Sequence, residues 1–578
     1  MLFYDFEVFA YDWMVVIKDT DRRVTHKIHN NSEALKRVYK ENKNNIWIGF
    51  NSRQYDQYIL KGILLELSPQ KINEHIIKFN QGGWSFSKLF NKVQLFNYDI
   101  MTDKFRGLKE LEGFMGNDIR ETTVDFNLER ELTEKEVEEV FFYCNHDVEQ
   151  TMHVFMNRKE EYESHINLIN TFKLPLKYIN KTKAQLSAII LEADRCHDRN
   201  DEFDIAIVDT LKLNKYKYIM EWYLNPLNRD YKKSLDTEIN GVLHTFGWGG
   251  LHGARTQYKS EGIIVNSDVT SFYPSLMIEY KFLSRNVRHA EKYKEIYDMR
   301  IKLKREGKKK EQQPYKIVLN GTYGASKDKY NNLFDPLQAN NVCVNGQLML
   351  LDLIEHILDA IPEAILIQSN TDGVMFKLPS MKSLDTYKEV AKEWEQRTRM
   401  GLDHDLIKKV VQKDVNNYII VMENGKIKSK GGYVKSLGKL DYDLPIVNKA
   451  LMDYFIQGIR VEDTINNARQ LIDFQKIIKA SSKYKYLLHG DEKINEKISR
   501  VFASKYYSDP GIFKVKSNNR IEKVAGTPER CFIDNSDIND KRIPRRLDKQ
   551  WYIDVANKRI EDFIGNGIEQ LILIYVIW

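Results

Sequence analysis

The N-terminal segment MLFYDFEVF carries two acidic residues in a run of aromatic and β-forming residues. This composition predicts a β-strand. Because side chains alternate along a strand, Asp5 and Glu7 then point to the same side. Two carboxylates so close together repel each other unless cations lie between them. The segment therefore predicts either a cation-binding strand or a charge pair at a sheet edge, and the pattern leaves both interpretations open.

Two more acidic residues follow aromatic residues at helix-forming positions. The stretch NIWIGFNSRQYDQYILKGIL predicts a strand, a turn and a helix, and places Asp56 after Asn51 and Tyr55 at the helix opening. Tyr143 and Asp147 lie four residues apart in a segment of helical periodicity, so the phenol and the carboxylate share one face. An all-oxygen site built from the four acids suits two magnesium ions. Such ions support phosphodiester hydrolysis, and Tyr143 could orient the attacking water.

A second pair of acidic residues lies further along the chain. Asp268 ends the strand-like run GIIVNSD, and Asp372 lies in the turn of LIQSNTDGVMF, between two predicted strands. A carboxylate at a strand end and another in a neighbouring hairpin turn can hold two metal ions against a nucleotide triphosphate. In that chemistry the protein mainly positions the reactants and neutralises charge.

Between these acids, the segment YKIVLNGTYG predicts a helix in which Lys316, Asn320 and Tyr323 share one face. Gly321 and Gly324 keep that surface open, at a cost of about 1 kcal/mol each relative to alanine. A flat base could then stack near Tyr323 while Lys316 binds phosphates. A routine amphipathic helix that tolerates two glycines is the alternative.

The chain of 578 residues is longer than one core supports, so at least two domains are expected. A net charge of +6 permits a nucleic-acid partner without requiring one. Four cysteines without CxxC spacing argue against structural zinc and favour a reducing cytoplasm. The N-terminal segment does not have the pattern of a signal peptide, and the C-terminal LILIYVIW is too short to span a bilayer. Asn424 and Gly425 predict a hairpin, and the chain after about residue 440 reads as mostly helical.

Six short motifs occur in a fixed order. Three lie in the first part of the chain: DFE at residues 5–7, NSRQYD at 51–56 and YCNHD at 143–147. Three follow: DVTSFYP at residues 268–274, KIVLNGTYG at 316–324 and NTDG at 370–373. The set resembles the exonuclease and polymerase motifs of family B DNA polymerases with a proofreading exonuclease, and is most similar to small phage replicative enzymes. FGWGGLHG also resembles, more loosely, the linker between exonuclease and palm in protein-primed members.

The resemblance implies an α/β and α+β multidomain fold, in which an RNase H-like 3′–5′ exonuclease domain precedes a right-hand polymerase of palm, fingers and thumb. The implied boundaries are residues 1–165 for the exonuclease, 166–255 for a linker and the N-terminal part of the palm, 256–285 and 331–425 for the palm, 286–330 for the fingers, and 426–578 for the thumb and C-terminal region.

The resemblance also implies roles for individual residues. Two magnesium ions per site, replaceable by manganese, are expected on Asp5, Glu7, Asp56 and Asp147 and on Asp268, Val269 and Asp372, with Tyr143 as a further catalytic residue. The nucleotide is expected to contact Tyr273, Arg300, Lys316, Asn320, Tyr323 and Thr371. DNA is expected to contact Asn51, Tyr55, Trp248, Gly249, Gly250, Tyr418 and Lys430. Tyr273 would exclude a nucleotide with a 2′-hydroxyl, and Pro274 would end the strand. For Arg300, the alternative to a nucleotide contact is a place on a solvated basic helix.

Three positions depart from the family pattern. Asn370 replaces the usual first acid of the turn motif, Gly373 replaces its serine, and Asn416 stands where a primer-contacting lysine is usual. The intervals between the polymerase motifs leave no room for the large insertions of protein-primed members. The short intervals argue against protein priming and intrinsic strand displacement without settling the priming mode.

The leading hypothesis is a DNA-templated DNA polymerase with a 3′–5′ proofreading exonuclease, acting in phage genome replication. An exonuclease with a degenerate polymerase half and a non-catalytic primer–template binding protein are the alternatives. The expected partners are primer–template DNA, deoxynucleoside triphosphates and replication accessory proteins. A cytoplasmic monomer without membrane association is expected.

Overall fold

The computed structural model describes residues 1–102, 106–195, 199–481 and 483–565. The C-terminal LILIYVIW and Cys196 lie outside the described residues. The chain forms two compact units, as the length predicts. The first comprises Met1–Lys181, Leu437–Ile446 and Asn466–Tyr552; the second comprises Thr182–Ser436, Val447–Ile465 and the described residues from Ile553. The predicted thumb and C-terminal region, 426–578, is thus divided between the units.

The N-terminal part of the first unit is a mixed sheet with helices. Its strands are β1 (Leu2–Val8), β2 (Trp13–Asp19), β3 (Val24–His29), β4 (Ile46–Gly49) and β5 (Phe96–Asp99). Its helices are α1 (Ser32–Asn42), α2 (Asp56–Leu64), α3 (Pro69–Asn73), α4 (Leu108–Met115), α5 (Glu134–Asn157) and α6 (Lys159–Thr171). The strand order is β3-β2-β1-β4-β5; β1, β2 and β3 pair antiparallel, and β4 pairs parallel with both β1 and β5.

The alternation of side chains along β1 separates its apolar residues from its acidic residues. Tyr4 and Phe6 point into a core that contains Trp47. Asp5 and Glu7 point to the opposite face, and α5 packs there, with Cys144 Sγ 3.4 Å from the carbonyl oxygen of Asp5. The sequence pattern of β1 therefore places both acids beneath α5.

The second unit is built on a large antiparallel sheet. Its helices are α7 (Lys183–Ile190), α8 (Lys217–Leu224), α9 (Phe272–Glu279), α10 (Ala290–Arg305), α11 (Lys309–Lys327), α12 (Pro336–Ala360) and α13 (Met381–Thr398). Its strands are β6 (Leu235–Ile239), β7 (Val242–Phe246), β8 (Gly253–Ala254), β9 (Tyr258–Val269), β10 (Ile365–Asn370), β11 (Gly373–Lys377), β12 (Leu402–Asp414), β13 (Asn417–Met422) and β14 (Ile427–Lys430). The nine strands follow the order β14-β13-β12-β9-β11-β10-β8-β7-β6.

The hairpin predicted at Asn424 and Gly425 is confirmed, and the role of Pro274 is corrected. The hairpin between β13 and β14 turns at Gly425, where φ is +79°. Gly307 joins α10 to α11 with a φ of +72°. Pro274, however, does not end β9: it lies in the first turn of α9, after Ser271 in the left-handed region. Proline fits there because the first N–H groups of a helix have no partner within the helix.

The C-terminal elements correct the prediction of a mostly helical tail. Helices α14 (Pro445–Gln457) and α15 (Val461–Asn467) precede seven strands, and α16 (Lys549–Ile564) follows them. The strands are β15 (Lys476–Lys479), β16 (Tyr484–His489), β17 (Glu492–Ile494), β18 (Ile498–Ala503), β19 (Ile512–Lys516), β20 (Ile521–Lys523) and β21 (Cys531–Ile533). They form two antiparallel sheets, β15-β18-β21 and β17-β16-β19-β20. Strands of three to six residues separated by Gly and Asn turns carry too little periodicity to be distinguished from broken helix.

Buried Arg500 joins β18 to α4 within the first unit. Its guanidinium donates hydrogen bonds to the carbonyl oxygens of Gly113 at 3.1 Å and Asn117 at 2.8 Å. It also donates to the carbonyl oxygen of Ser536 at 2.7 Å. Because a buried guanidinium needs several acceptors, this arrangement ties the sheet β15-β18-β21 to the N-terminal part of the unit.

Among the described helices, none combines the length and apolar character needed to cross a membrane.

Candidate functional site

Four carboxylates of the first unit converge on one cavity. Asp5 and Glu7 lie on β1, Asp56 is the first residue of α2, and Asp147 lies in the middle of α5. All four line a cavity of about 420 Å³. The structure therefore brings together acids that the sequence carries in three separate motifs.

A backbone hydrogen bond holds Asp56 beside β1. The N–H of Phe6 donates to Asp56 Oδ1 at 3.0 Å. Phe6 lies between the two acids of the strand, and its side chain is buried in the core. The carboxylate of Asp56 is therefore fixed next to Asp5 and Glu7 by the strand that carries them.

Burial and mutual repulsion raise the pKa of these acids. Burial, followed by the charges of Asp56 and Glu7, raises the pKa of Asp5 well above its ordinary value. Burial and then the charge of Asp147 raise the pKa of Glu7 in the same way. Burial raises the pKa of Asp56 to about 7 and that of Asp147 to about 6. A hard divalent cation with oxygen ligands would stabilise the charged forms, so this donor set fits magnesium.

Tyr143 and Cys144 flank the cluster in forms that keep their protons. Burial, followed by the charges of Asp147 and Glu7, raises the pKa of the Tyr143 phenol, which can therefore donate a hydrogen bond. Burial, followed by the charges of nearby Asp5 and Glu7, also raises the pKa of the Cys144 thiol. A protonated thiol is a poor metal ligand, so the site offers oxygen donors rather than a thiolate.

Lys109 belongs to this site, although no motif pointed to it. Its ammonium group donates a hydrogen bond to Asp147 and another to Glu112 Oε1 at 3.1 Å. The ammonium nitrogen also lies 4.6 Å from the centroid of the Tyr143 ring. A single lysine in a helix of ordinary composition gives no sequence signal, since its contact with Asp147 depends on how α4 packs beside α5.

Asn51 and Tyr55 line the same cavity as the four acids. Asn51 adopts a left-handed backbone with a φ of +59°. The Tyr55 hydroxyl donates to Asn73 Oδ1 at 2.8 Å, which fixes the ring at the cavity wall. Both residues are therefore positioned to contact a molecule that enters the cavity.

In the second unit, Asp268 and Asp372 come from directly paired strands. Asp268 lies opposite Gly373 in the β9–β11 register. The N–H of Val269 donates to the carbonyl oxygen of Asp372 at 2.6 Å. Burial and then the charge of Asp372 raise the pKa of Asp268. The two acids are neighbours, as a strand end beside a hairpin turn predicts.

The two carboxylates border different cavities. Asp372 lines a cavity of about 460 Å³. The same cavity is lined by Val269, Tyr273, Arg300, Lys316, Asn320, Tyr323 and Thr371. Asp268 lines a cavity of about 90 Å³ together with Asn370 and Tyr418. Within the described part of the chain, the close groupings of three or more potential metal ligands both lie in the first unit.

The larger cavity is organised by α9, α10 and α11. Arg300 of α10 donates to Ser271 Oγ at 2.6 Å. The rings of Tyr273 and Tyr323 lie 4.4 Å apart between centroids, so α9 and α11 meet at the cavity wall. Lys316 lies on α11, two turns before Tyr323. The helix predicted from YKIVLNGTYG is confirmed, and its polar face lines this cavity.

Asp405 is a third acid in this region, which the motifs did not identify. It lies on β12 opposite Asn266 and lines the small cavity with Asp268. Lys428 of β14 donates to Asp405 Oδ2 at 2.9 Å. The charge of Asp405 contributes, after burial and Asp372, to the raised pKa of Asp268. Sequence reasoning could not place Asp405 because the β9–β12 register joins residues far apart in the chain.

In the second unit, the residues expected to contact DNA lie in two places: the β13–β14 hairpin and the glycine-rich segment before β8. Lys430 lies opposite Tyr418 in the β13–β14 register, with its ammonium 5.9 Å from the Tyr418 ring centroid. Gly250 packs against Thr371, since a Cβ at Gly250 would lie 2.8 Å from Thr371 Oγ1. At Gly249, a Cβ would meet no described atom within 4 Å.

The prediction that Trp248 contacts DNA requires correction. Its ring is buried among Phe203, Tyr223 and Tyr231, with the nearest ring centroid, that of Phe203, at 4.7 Å. An indole enclosed by aromatic side chains contributes to the core of the unit and does not face a ligand. The neighbouring glycines remain the candidates for close approach to DNA.

Comparison with solved structures finds likenesses, of which one covers nearly the whole chain. The chain is similar to the structure of the family B DNA polymerase from the hyperthermophilic archaeon Pyrobaculum calidifontis, with 14% sequence identity and a TM-score of 0.44, over 98% of this chain and 78% of that chain. No protein-family model and no curated protein matches the sequence.

Proposed function

We propose that this protein is a DNA-templated DNA polymerase with a 3′–5′ proofreading exonuclease. The first unit would carry an RNase H-like exonuclease, a fold that the strand order β3-β2-β1-β4-β5 supports. The second unit would carry the palm on its nine-stranded sheet, with α10 and α11 as fingers. The thumb assignment within 426–578 stays a prediction.

One observation carries the proposal. Residues from three separate motifs line a single cavity of about 460 Å³, a volume within the range of small-molecule sites. One wall is cationic, with Arg300 and Lys316, and another carries Asp372. The rings of Tyr273 and Tyr323 add an aromatic surface. This combination suits a triphosphate with a sugar and a base, because each part of the nucleotide meets a matching surface.

In nucleotide transfer, the residues of the second unit would mainly position the reactants. Arg300, whose planar group offers several donors, and Lys316 would bind the triphosphate. Tyr273 would pack beneath the sugar, and Asn320 and Tyr323 would border the base. Magnesium held by Asp268, the Val269 carbonyl and Asp372 would neutralise phosphate charge and activate the primer hydroxyl.

In hydrolysis, the residues of the first unit would act on an unpaired 3′ end. Asn51 and Tyr55 would hold the strand at the cavity wall, and the protonated phenol of Tyr143 would orient the attacking water. Magnesium held by Asp5, Glu7, Asp56 and Asp147 would generate the nucleophile and stabilise the leaving oxygen. Lys109 would keep Asp147 ionised and fix the position of Tyr143.

The expected partners are primer–template DNA and deoxynucleoside triphosphates, with replication accessory proteins as further candidates. Tyr418, Lys430 and the backbone at Gly249 and Gly250 would contact DNA in the second unit. Phosphate contacts of this kind weaken as salt increases. Manganese would substitute for magnesium, because its ligand preference is similar.

A nuclease whose second unit only binds DNA is the second candidate. Two observations favour it. Asn370 replaces an acid in the turn motif, and the described part of the second unit contains no grouping of three potential ligands as close as those of the first unit.

Primer extension distinguishes the two candidates. A 5′-labelled primer–template is incubated with magnesium, with and without the four nucleotides, and the products are separated on a gel. Extension by the wild type that is lost in Asp372→Asn and retained in Asp5→Asn supports the polymerase. Shortening alone, lost in Asp5→Asn and unaffected by Asp372→Asn, supports the nuclease and contradicts the leading proposal.

A further inference from the structure

The C-terminal part of the first unit concentrates positive charge. Residues 466–552 contain nineteen Lys and Arg against eleven Asp and Glu, a formal charge of +8. The entire chain has a net charge of only +6. This segment therefore accounts for all of the protein's positive excess, although it carries neither of the metal-binding clusters described above.

Several cations in this segment already have acidic partners. Lys516 and Arg520 pair with Glu522, and Lys541 pairs with Asp534 at 2.8 Å. Four others differ: no carboxylate of the described residues lies within 4.0 Å of the side-chain nitrogens of Lys505, Arg530, Arg545 or Arg546. Their charge is therefore not neutralised by an ion pair among the described residues.

The backbone brings these unpaired cations together from distant parts of the segment. The N–H of Ser504 donates to the carbonyl oxygen of Arg530 at 2.8 Å. The N–H of the next residue, Lys505, donates to the carbonyl oxygen of Arg546 at 2.9 Å. We call the surface formed by Lys505, Tyr506, Tyr507, Arg530, Arg545 and Arg546 the Tyr507 patch.

Two tyrosines project from this patch. The side chain of Tyr507 is 90% exposed and that of Tyr506 is 46% exposed. The guanidinium of Arg530 lies 4.3 Å from the centroid of the Tyr507 ring. The loop beneath is anchored, since the Ser504 hydroxyl donates to Asp509 and Ser504 Oγ accepts from the N–H of Tyr506 at 3.1 Å. An aromatic ring is thus displayed to solvent from a fixed loop and beside an arginine.

We propose that the Tyr507 patch binds single-stranded nucleic acid. An unpaired base would stack on Tyr507, while Lys505, Arg530 and Arg546 would bind the adjoining phosphates. Exposed rings with surrounding cations are the arrangement by which proteins bind single strands without sequence preference. A duplex offers phosphates but hides the faces of its bases, so it would leave the tyrosines unused. An acidic peptide would likewise match only the charge.

This proposal goes beyond the polymerase and exonuclease activities and does not depend on either. Its tests are performed in EDTA, where neither nucleotide transfer nor hydrolysis occurs. Failure of the catalytic proposal would therefore leave the binding result unaffected, and failure of binding would not bear on catalysis.

Photocrosslinking locates the strand on the full-length protein. A twelve-nucleotide oligothymidylate with 5-iodouracil at its centre is irradiated with the protein in EDTA, and crosslinked peptides are identified by mass spectrometry. A crosslink at Tyr506 or Tyr507 that is at least about fivefold weaker for the same sequence in a duplex is the expected result. Crosslinks confined to other peptides, or an equal yield with duplex, would overturn the proposal.

Substitutions then test which groups hold the strand. Arg530→Gln and Arg546→Gln are expected to lower the crosslink yield at Tyr507, whereas Arg520→Gln, whose arginine is already paired with Glu522, is not. In fluorescence anisotropy with the same oligonucleotide, Tyr507→Ala is expected to weaken binding about tenfold, because stacking contributes roughly 1–3 kcal/mol per base. Tyr330→Ala is the control, since Tyr330 is 83% exposed and also has a lysine over its ring.

Equal effects of Tyr507→Ala and Tyr330→Ala would contradict the stacking role. Equal effects of Arg530→Gln and Arg520→Gln would contradict the phosphate contact. An acidic peptide or anionic vesicles that bind the patch at concentrations too low for the oligonucleotide to bind would assign the patch to a different partner. That result would overturn the proposal. Each binding measurement is accompanied by a thermal melt, so that a variant that fails to fold is recognised.

Discussion

Gly373 and Asp268 lie so close together that a Cβ at position 373 would be 2.2 Å from Asp268 Oδ1. The two residues are direct partners in the β9–β11 register. Any side chain at position 373 would displace the Asp268 carboxylate. Glycine at position 373 is therefore required by the position of the Asp268 carboxylate in this chain.

A serine at position 373 is expected to damage this protein. Gly373→Ser should lower primer extension at least about tenfold, since a displaced ligand carboxylate weakens metal binding. Exonuclease activity should remain within about twofold of the wild type. Gly432→Ser serves as the control, because a Cβ there meets no described atom within 4 Å. Extension by Gly373→Ser equal to that by Gly432→Ser would contradict the predicted crowding.

The charge of Lys109 should set the pH below which the rate of 3′-end hydrolysis falls. Against the dominant effect of burial, its charge lowers the pKa of Asp147. Removing the charge in Lys109→Met should raise the pKa of Asp147, so the rate of 3′-end hydrolysis should fall off at a pH at least about one unit higher. Lys36→Met, which removes a partly exposed lysine of the same unit that pairs with Glu33 and Glu66, should leave the profile unchanged. A pH–rate profile identical in both variants would refute the role of Lys109.

The first unit should become less stable as pH rises in the absence of divalent cations. The folded pKa of Asp56, about 7, exceeds its ordinary value of 3.8, so the folded state binds more protons than the unfolded chain between these values. The melting temperature in EDTA should therefore fall as pH rises from about 4 to about 7, the window set by this shift. Magnesium should restore it at pH 8 and have less effect at pH 5.

Asp56→Asn provides the matched variant for that experiment. It removes one buried charge, so its melting temperature in EDTA should depend less on pH than that of the wild type. Asp21→Asn alters an exposed acid and should retain the wild-type dependence. A wild-type melting temperature that rises with pH in EDTA would contradict the account of uncompensated charge in this cluster.

Asp405 should contribute to nucleotide transfer. It shares a cavity with Asp268 and holds Lys428 at 2.9 Å. Asp405→Asn should lower primer extension about tenfold, through loss of a nearby negative charge and of the ion pair. Asp385→Asn is the control, because Asp385 is an exposed acid of the same unit that lies on α13. Equal extension rates in the two variants would show that Asp405 has no special role.

Local spacing explains how much of the site was predictable. Asp5 and Glu7 share a face because side chains alternate along a strand, and Lys316, Asn320 and Tyr323 share a face because a helix repeats every 3.6 residues. These relationships need only a few consecutive residues. The mixed α/β architecture was predictable from the same local periodicities, and more than one domain was predictable from the chain length.

The remaining features depend on tertiary packing. Lys109 reaches Asp147 because of how α4 packs, and Asp405 reaches Asp268 through a strand register, so neither contact leaves a trace in a short motif. The glycine-rich segment around Trp248 predicts a contact with DNA. In the structure the Trp248 ring instead forms a buried cluster with Phe203, Tyr223 and Tyr231. The short basic strands of 476–533 likewise gain their structure from pairing rather than from their own periodicity.

The central claim is that acids from separate motifs form two distinct metal-binding clusters. Crystals grown with manganese, primer–template and an unreactive nucleotide analogue would test it through the anomalous scattering of manganese. The account predicts anomalous peaks at Asp268 and Asp372 and separate peaks among Asp5, Glu7, Asp56 and Asp147. Peaks at only one cluster, or a nucleotide bound without any metal beside Asp268 and Asp372, would contradict it.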